Sequence, residues 1–168
     1  NDLMFSTDPN IDGLANERFM NESERLLASI KGIKFEYKCP SSGVSYEQDG
    51  NVWLTNERII FVSKNQSMNF RGCDIQLSLI SQEKLNQPIF GANNVEGIVQ
   101  IETGCDQSIS FAKWKIFFKS GRFLPFIENF FPALQKIRND TCSLNVVGQS
   151  SNERVNANDA HAHSIEHY

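Results

Sequence analysis

With 168 residues, 40% of them hydrophobic and 13 of them phenylalanine, the chain has enough apolar matter for one domain with flanking tails. Its net charge of −4 is the wrong sign for a general nucleic-acid binder, so no direct nucleic-acid contact is expected. No apolar run approaches the length of about 18 residues that a membrane-spanning helix needs, and no basic-then-apolar signal segment opens the sequence.

Residues 1–23 form an acidic flank, irregular over 1–10 and read as a short helix over 11–23, with Asp12 as its cap. Leu26, Leu27 and Ile30 predict a first strand or its lead-in, which Lys31-Gly32 breaks. Ile33 to Lys38 alternates cleanly: Ile33, Phe35 and Tyr37 point one way, Lys34, Glu36 and Lys38 the other. This is the pattern of a sheet with one wet face. Pro40 to Gln48 reads as a mobile Ser/Gly loop. Gly50 to Lys64 reads as a β-hairpin, with Val52, Trp53 and Leu54 in one arm and Ile59 to Val62 in the other. Thr55 to Arg58 supplies the turn, where Thr55 can bond its own backbone.

Asn65 to Asn69 is a polar turn, and Ile75, Leu77 and Leu79 mark a strand over Cys73 to Ile80. Glu83 to Gln87 is polar, Pro88 fixes the backbone after it, and Ile89 and Phe90 are expected to anchor the segment before Gly91. Residues 91–97 form a loop or bulge, and a strand follows over Glu96 to Glu102. Ile109 to Lys119 is a second amphipathic strand. Trp114, Ile116 and Phe118 share its apolar face, and Lys113, Lys115, Phe117 and Lys119 the opposite one. Phe126, Phe130, Leu134 and Ile137 form a stripe on a helix over 123–139, which Pro132 is expected to kink. Residues 140–168 read as a flexible polar tail.

The order of these motifs resembles a known family. The hairpin with Leu54-Thr55 and Arg58-Ile59-Ile60-Phe61 resembles the GRAM-domain signature. The segment Gln87-Pro88-Ile89-Phe90-Gly91-Ala92-Asn93 resembles the QPxFGAN motif of the WW-domain-binding protein 2 family. Gly97 and Trp114 to Phe118 then follow in that family's order, so the likeness covers about residues 24–130. The resemblance implies a pleckstrin-homology-like antiparallel β-sandwich or barrel, mainly β with one C-terminal helix, over residues 24–139. It also implies a structural role for the motif residues Gln87, Pro88, Phe90, Gly91 and Asn93. Members of that family carry PPxY motifs that dock WW domains, but none of Pro9, Pro40, Pro88, Pro125 and Pro132 stands in one. WW-domain binding is therefore not carried over.

Catalysis finds little support. The three histidines, His161, His163 and His167, all lie in the tail, so no Ser-His or Cys-His pair has a base on the scaffold. Cys39, Cys73, Cys105 and Cys142 are too dispersed for a zinc pattern, and buried free thiols are expected. There is no Gly-rich phosphate loop. No enzyme activity, cofactor or metal site is expected.

Charge suggests two surfaces. Residues 105–140 hold six Lys/Arg against three Asp/Glu. The face of Lys113, Lys115, Phe117 and Lys119 is a candidate partner surface, because an apolar residue rimmed by lysines is how an interaction anchor looks. The C-terminal helix or the acidic flank covering Phe117 is the competing expectation. Lys31, Lys34 and Lys38 are candidates for contact with anionic lipid. The favoured function is a non-catalytic adaptor or coactivator-type module, cytoplasmic or nuclear, that binds a protein partner. The alternative is peripheral binding to anionic or phosphoinositide lipid.

Overall fold

A computed structural model describes residues 23–65, 69–103 and 108–155. The expected helix over 11–23, Cys105 and the three histidines fall outside these residues or, for Ser23, at their edge.

Seven strands follow one another: β1 (Leu26–Cys39), β2 (Val44–Thr55), β3 (Arg58–Ser63), β4 (Gly72–Gln76), β5 (Ile80–Asn86), β6 (Asn94–Thr103) and β7 (Ser108–Phe117). One helix, α1 (Leu124–Val155), closes the described chain. The strands form a single sheet in the order β4-β3-β2-β1-β7-β6-β5, and every pairing is antiparallel. This is the mainly-β, pleckstrin-like architecture with a C-terminal helix that the motif order implies.

β1 lies at the centre and pairs on both sides, with β2 along its length and with β7 over Lys34 to Lys38. Its alternation puts Ile33, Phe35 and Tyr37 in the core. The break expected at Lys31-Gly32 is a β-bulge inside one strand. Gly32 takes φ +73, which an L side chain rarely adopts, and its N–H donates to Asn51 Oδ1 at 3.1 Å. The bulge lets the strand bend, so that the sheet wraps its main core.

That core is aromatic. Phe35 stacks on Phe61 at 4.5 Å, and Tyr46 on Phe70 at 4.3 Å. On the other side, α1 lays Phe126, Phe130 and Leu134 over Trp114 and Phe118. Phe130 meets the Trp114 indole edge-on at 5.9 Å. Gly50 belongs to the same core for a reason of space: a Cβ there would sit 2.1 Å from the Val62 carbonyl oxygen and against the Phe61 ring. Trp53 is also buried, but with Ile60 and Val62 in a separate cluster on the opposite face of β2 and β3.

Several expectations need correction. Pro40 to Gln48 is only a short turn, because β2 begins at Val44 and pairs with Cys39. Its largely polar sequence is held extended by the β1 ladder, with only Val44 and Tyr46 turned to the core. Leu77 to Leu79 forms a 3-10 turn that buries Leu77 and leaves Leu79 exposed, so the predicted strand stops at Gln76. The polar Glu83 to Asn86 belongs to strand β5, an edge strand whose ladder with β6 needs no apolar side chains. Helix α1 does not end at 139 but continues to Val155, through residues whose polar composition suggests a tail. No Gly or Pro occurs between Ala133 and Val147, and the hydroxyls of Thr141 and Ser143 bond back to the carbonyls of Ile137 and Asn139, each at 2.9 Å. Pro132 lies inside the helix on its exposed side without ending it.

Two polar clamps fix the ends of this frame. The Arg58 guanidinium donates to both oxygens of Glu24, at 2.8 and 3.1 Å, and also bridges to Asp74. Thr55 Oγ1 accepts from the N–H groups of Glu57 and Arg58, as its turn position predicted, and donates to Glu24 at 2.8 Å. At the other clamp, Arg138 of α1 grips Glu83 of β5 through two contacts of 2.7 Å.

Candidate functional site

The outer face of the sheet, away from α1, carries most of the residues singled out by the sequence. Strand register arranges them in cross-strand rungs over β1, β7, β6 and β5. The first is Lys34, Phe117, Asn94 and Asn86. The second is Glu36, Lys115, Glu96 and Lys84. The third is Lys38, Lys113, Ile98 and Ser81. Beyond the end of β1, Phe111 stands opposite Gln100 and is exposed, as is Ile109 further on.

The first two rungs largely neutralise themselves. Lys34 bonds Glu47 at 2.8 Å and Glu36 at 3.2 Å, and these contacts, Glu47 first, raise its pKa. Lys115 and Lys84 reach opposite oxygens of Glu96, at 2.6 and 2.8 Å. Lys115 chiefly, then Lys84, holds that carboxyl at about 2. Phe117 is half-buried between two cations, with the Lys34 ammonium 4.7 Å and the Lys115 ammonium 5.5 Å from its ring centre. The helix lies on the opposite face, so its aromatic residues do not cover Phe117.

The third rung differs. Lys38 and Lys113 stand directly opposite each other, both exposed, and neither makes an ion pair with a described residue. Like charges at opposed positions destabilise a sheet. Together with Lys84, Lys115, Glu36, Glu96 and Ile98, they line a groove of about 550 Å³. Gln82, at the bulge in β5, also lines it and holds φ 52, a strained value for a residue with a side chain.

Of the four residues proposed as a partner surface, the structure keeps Lys113, Lys115 and Phe117 on one face. Lys119 lies past the end of β7 and turns to Asp49 at 2.6 Å. The three lysines proposed for lipid are not gathered into one cradle. Lys34 is committed to its two glutamates, and Lys31 and Lys38 stand roughly 20 Å apart along β1. Lys84, Glu96 and Gln82 were missed by sequence reading. The strand β5 that supplies two of them has no hydrophobic alternation, so only its ladder reveals the face.

The motif Gln87 to Asn93 forms the β5–β6 loop. Its backbone role is visible: Gly91 takes φ +106, and the Asn93 carbonyl accepts the Phe118 N–H at 2.9 Å. The expected anchor is overturned, however. Phe90 is 91% exposed and Ile89 94%, because the loop projects beyond the end of the β6–β7 ladder rather than folding onto the core.

Cys39 and Cys73 are free and buried, and Cys142 is free and exposed. Among the described residues, no group of three or more His, Cys, Asp or Glu side chains is placed to hold a metal ion. No helix among them is long and apolar enough to cross a membrane.

Comparison with known proteins agrees with this architecture. The chain is 26% identical over 133 residues to the UPF0664 stress-induced protein C29B12.11c of Schizosaccharomyces pombe, covering 76% of this chain and 74% of that protein. It is 29% identical over 110 residues to WW domain-binding protein 2 of Mus musculus, covering 64% of this chain but only 41% of the mouse protein. Among solved structures, the Vps36 N-terminal PH domain superposes with a TM-score of 0.53 at 13% identity, over 71% of this chain and 86% of that domain, which is a likeness of fold. The sequence profile of the GRAM domain spans residues 13–133, from before β1 into α1. The hairpin, the central bulged strand and the helix packed on Trp114 are thus those of a GRAM domain, and the chain belongs to that family.

Proposed function

We propose that this GRAM domain serves as a non-catalytic adaptor that docks an acidic, extended segment of a partner protein in the groove across β1, β7, β6 and β5. GRAM and pleckstrin-like domains are interaction modules, and this reading names the surface and the chemistry of the ligand. The observation that carries it is the opposed pair Lys38 and Lys113 on one rung of the groove, both exposed and neither in an ion pair with a described residue, while the groove's Glu96 is held by Lys84 and Lys115. A carboxylate from a partner would relieve that repulsion. Ile98 in the same rung and the exposed Phe111 in the next offer apolar contact beside the charges, an apolar anchor with a polar rim. The strained Gln82 supports the same reading, since strain of that kind is retained where a surface is shaped for binding. No PPxY motif occurs in these residues, so docking through polyproline geometry is not part of the proposal.

Affinity capture from native extract, using the whole chain as bait, tests it. The double variant Lys38→Glu/Lys113→Glu keeps its melting temperature, because both side chains are exposed, and weakens its captured partners at least roughly tenfold. Raising the salt weakens the wild-type complex as well. Phe117→Asp gives a second reading of the same face. A folded charge-reversal variant that captures the same proteins with unchanged strength overturns the proposal.

A further inference from the structure

A different feature points to a second binding surface. Ile89 and Phe90 are consecutive, large and apolar, and more than nine-tenths of each is exposed. Single exposed apolar residues are ordinary, but an adjacent pair at the tip of a projecting loop is not. The loop is braced in this shape. Asn86 Nδ2 donates to Asn94 Oδ1 at 2.9 Å across its base, and the buried Asn94 donates to the Ala92 carbonyl at 3.4 Å. Pro88 fixes one side, and Gly91, at φ +106, turns the other. Held this way, the pair stands away from the core.

The surroundings indicate what covers it. From Asn86 to Asn94 the loop has no charged residue. The β7–α1 turn emerges beside it, joined through the hydrogen bond from Phe118 N–H to the Asn93 carbonyl. That turn, residues 119–124, contains Lys119 and Arg122, no acid, and Leu124, which is 56% exposed. Arg122 forms no ion pair with a described residue, whereas Lys119 is held by Asp49. The apolar tip is thus uncharged and its flank is basic. Both side chains stand clear of the domain, with no charged neighbour in the loop itself. A bilayer takes both, and an anionic one attracts the basic flank.

We propose that the β5–β6 loop is a membrane-insertion tip, with Ile89 and Phe90 entering the headgroup–acyl boundary of an anionic bilayer while Arg122 faces its phosphates. This inference is independent of the lysine groove. It needs no stereospecific headgroup, only a negative surface with an apolar interior.

Flotation of the whole chain with vesicles of phosphatidylcholine, with and without about 30% phosphatidylserine, tests it. The chain floats with the anionic vesicles and much less with the neutral ones. Ile89→Asp/Phe90→Asp lowers flotation at least roughly tenfold while the melting temperature holds; Phe90→Ser provides a milder variant should the double one not fold. In Phe90→Trp, the emission of the new indole shifts to the blue on anionic vesicles. The proposal is overturned if the wild-type chain does not float, if the folded aspartate variant floats equally well, or if the new tryptophan shows no shift. It is also overturned if the apolar pair instead supports a concentration-dependent dimer in sedimentation that the aspartate variant abolishes.

Discussion

Removing Arg58 tests the main polar clamp of the fold. The Glu24 carboxylate that it holds has a fully buried side chain, at 0% exposure. In Arg58→Met, Glu24 loses both guanidinium contacts, at 2.8 and 3.1 Å, and keeps the Thr55 hydroxyl at 2.8 Å, while Asp74 loses its bridge. Breaking a buried ion pair on one side costs about 3–5 kcal/mol, because the remaining charge stays in a poor solvent. For a domain stable by about 5–15 kcal/mol, that is a large share. Urea denaturation should show a midpoint shift of that size with an unchanged slope. Glu24→Met/Arg58→Met should recover most of the stability, since apolar replacement of both partners is often neutral. A loss below about 1 kcal/mol for the single variant would refute the assignment.

Two further outcomes follow from the core and the outer face. Trp114→Ala removes an indole that is 1% exposed and packed on Phe130, so it should cost about 3–5 kcal/mol by thermal or chemical melting, and an unmoved transition would contradict the packing. Glu96, held at about 2 instead of its ordinary 4.5 by Lys115 and then Lys84, lends stability that is complete above 4.5 and is lost as pH falls toward 2. Lys84 is 62% exposed and solvent screens it, so the contribution is roughly 1 kcal/mol. Glu96→Gln should flatten the acid limb of the stability profile by that amount, and an unchanged limb would show that the pair contributes nothing.

Local chemistry determined much of this protein before any coordinates. The alternation of Ile33, Phe35 and Tyr37, the Thr55 turn, and the stripe of Phe126, Phe130 and Leu134 each encode their own element through side chains that must leave water. The motif order from the hairpin to Trp114 carried the fold family as well. Elements with a sparse apolar face were not legible. Val44 to Asp49 and Ser81 to Asn86 are largely polar, with only Val44, Tyr46 and Leu85 turned to the core, and a neighbouring strand satisfies their backbone groups. The candidate groove shares that limit, since Lys38 and Lys113 are 75 positions apart in sequence and become opposed only through the β1–β7 register. Phe90 reverses the usual inference. Its apolar side chain suggested a buried anchor, and its exposure follows from where the loop leaves the β6 ladder. Hydrophobicity specifies that a side chain prefers to leave water; the tertiary structure decides whether the domain's own core or another surface provides the place.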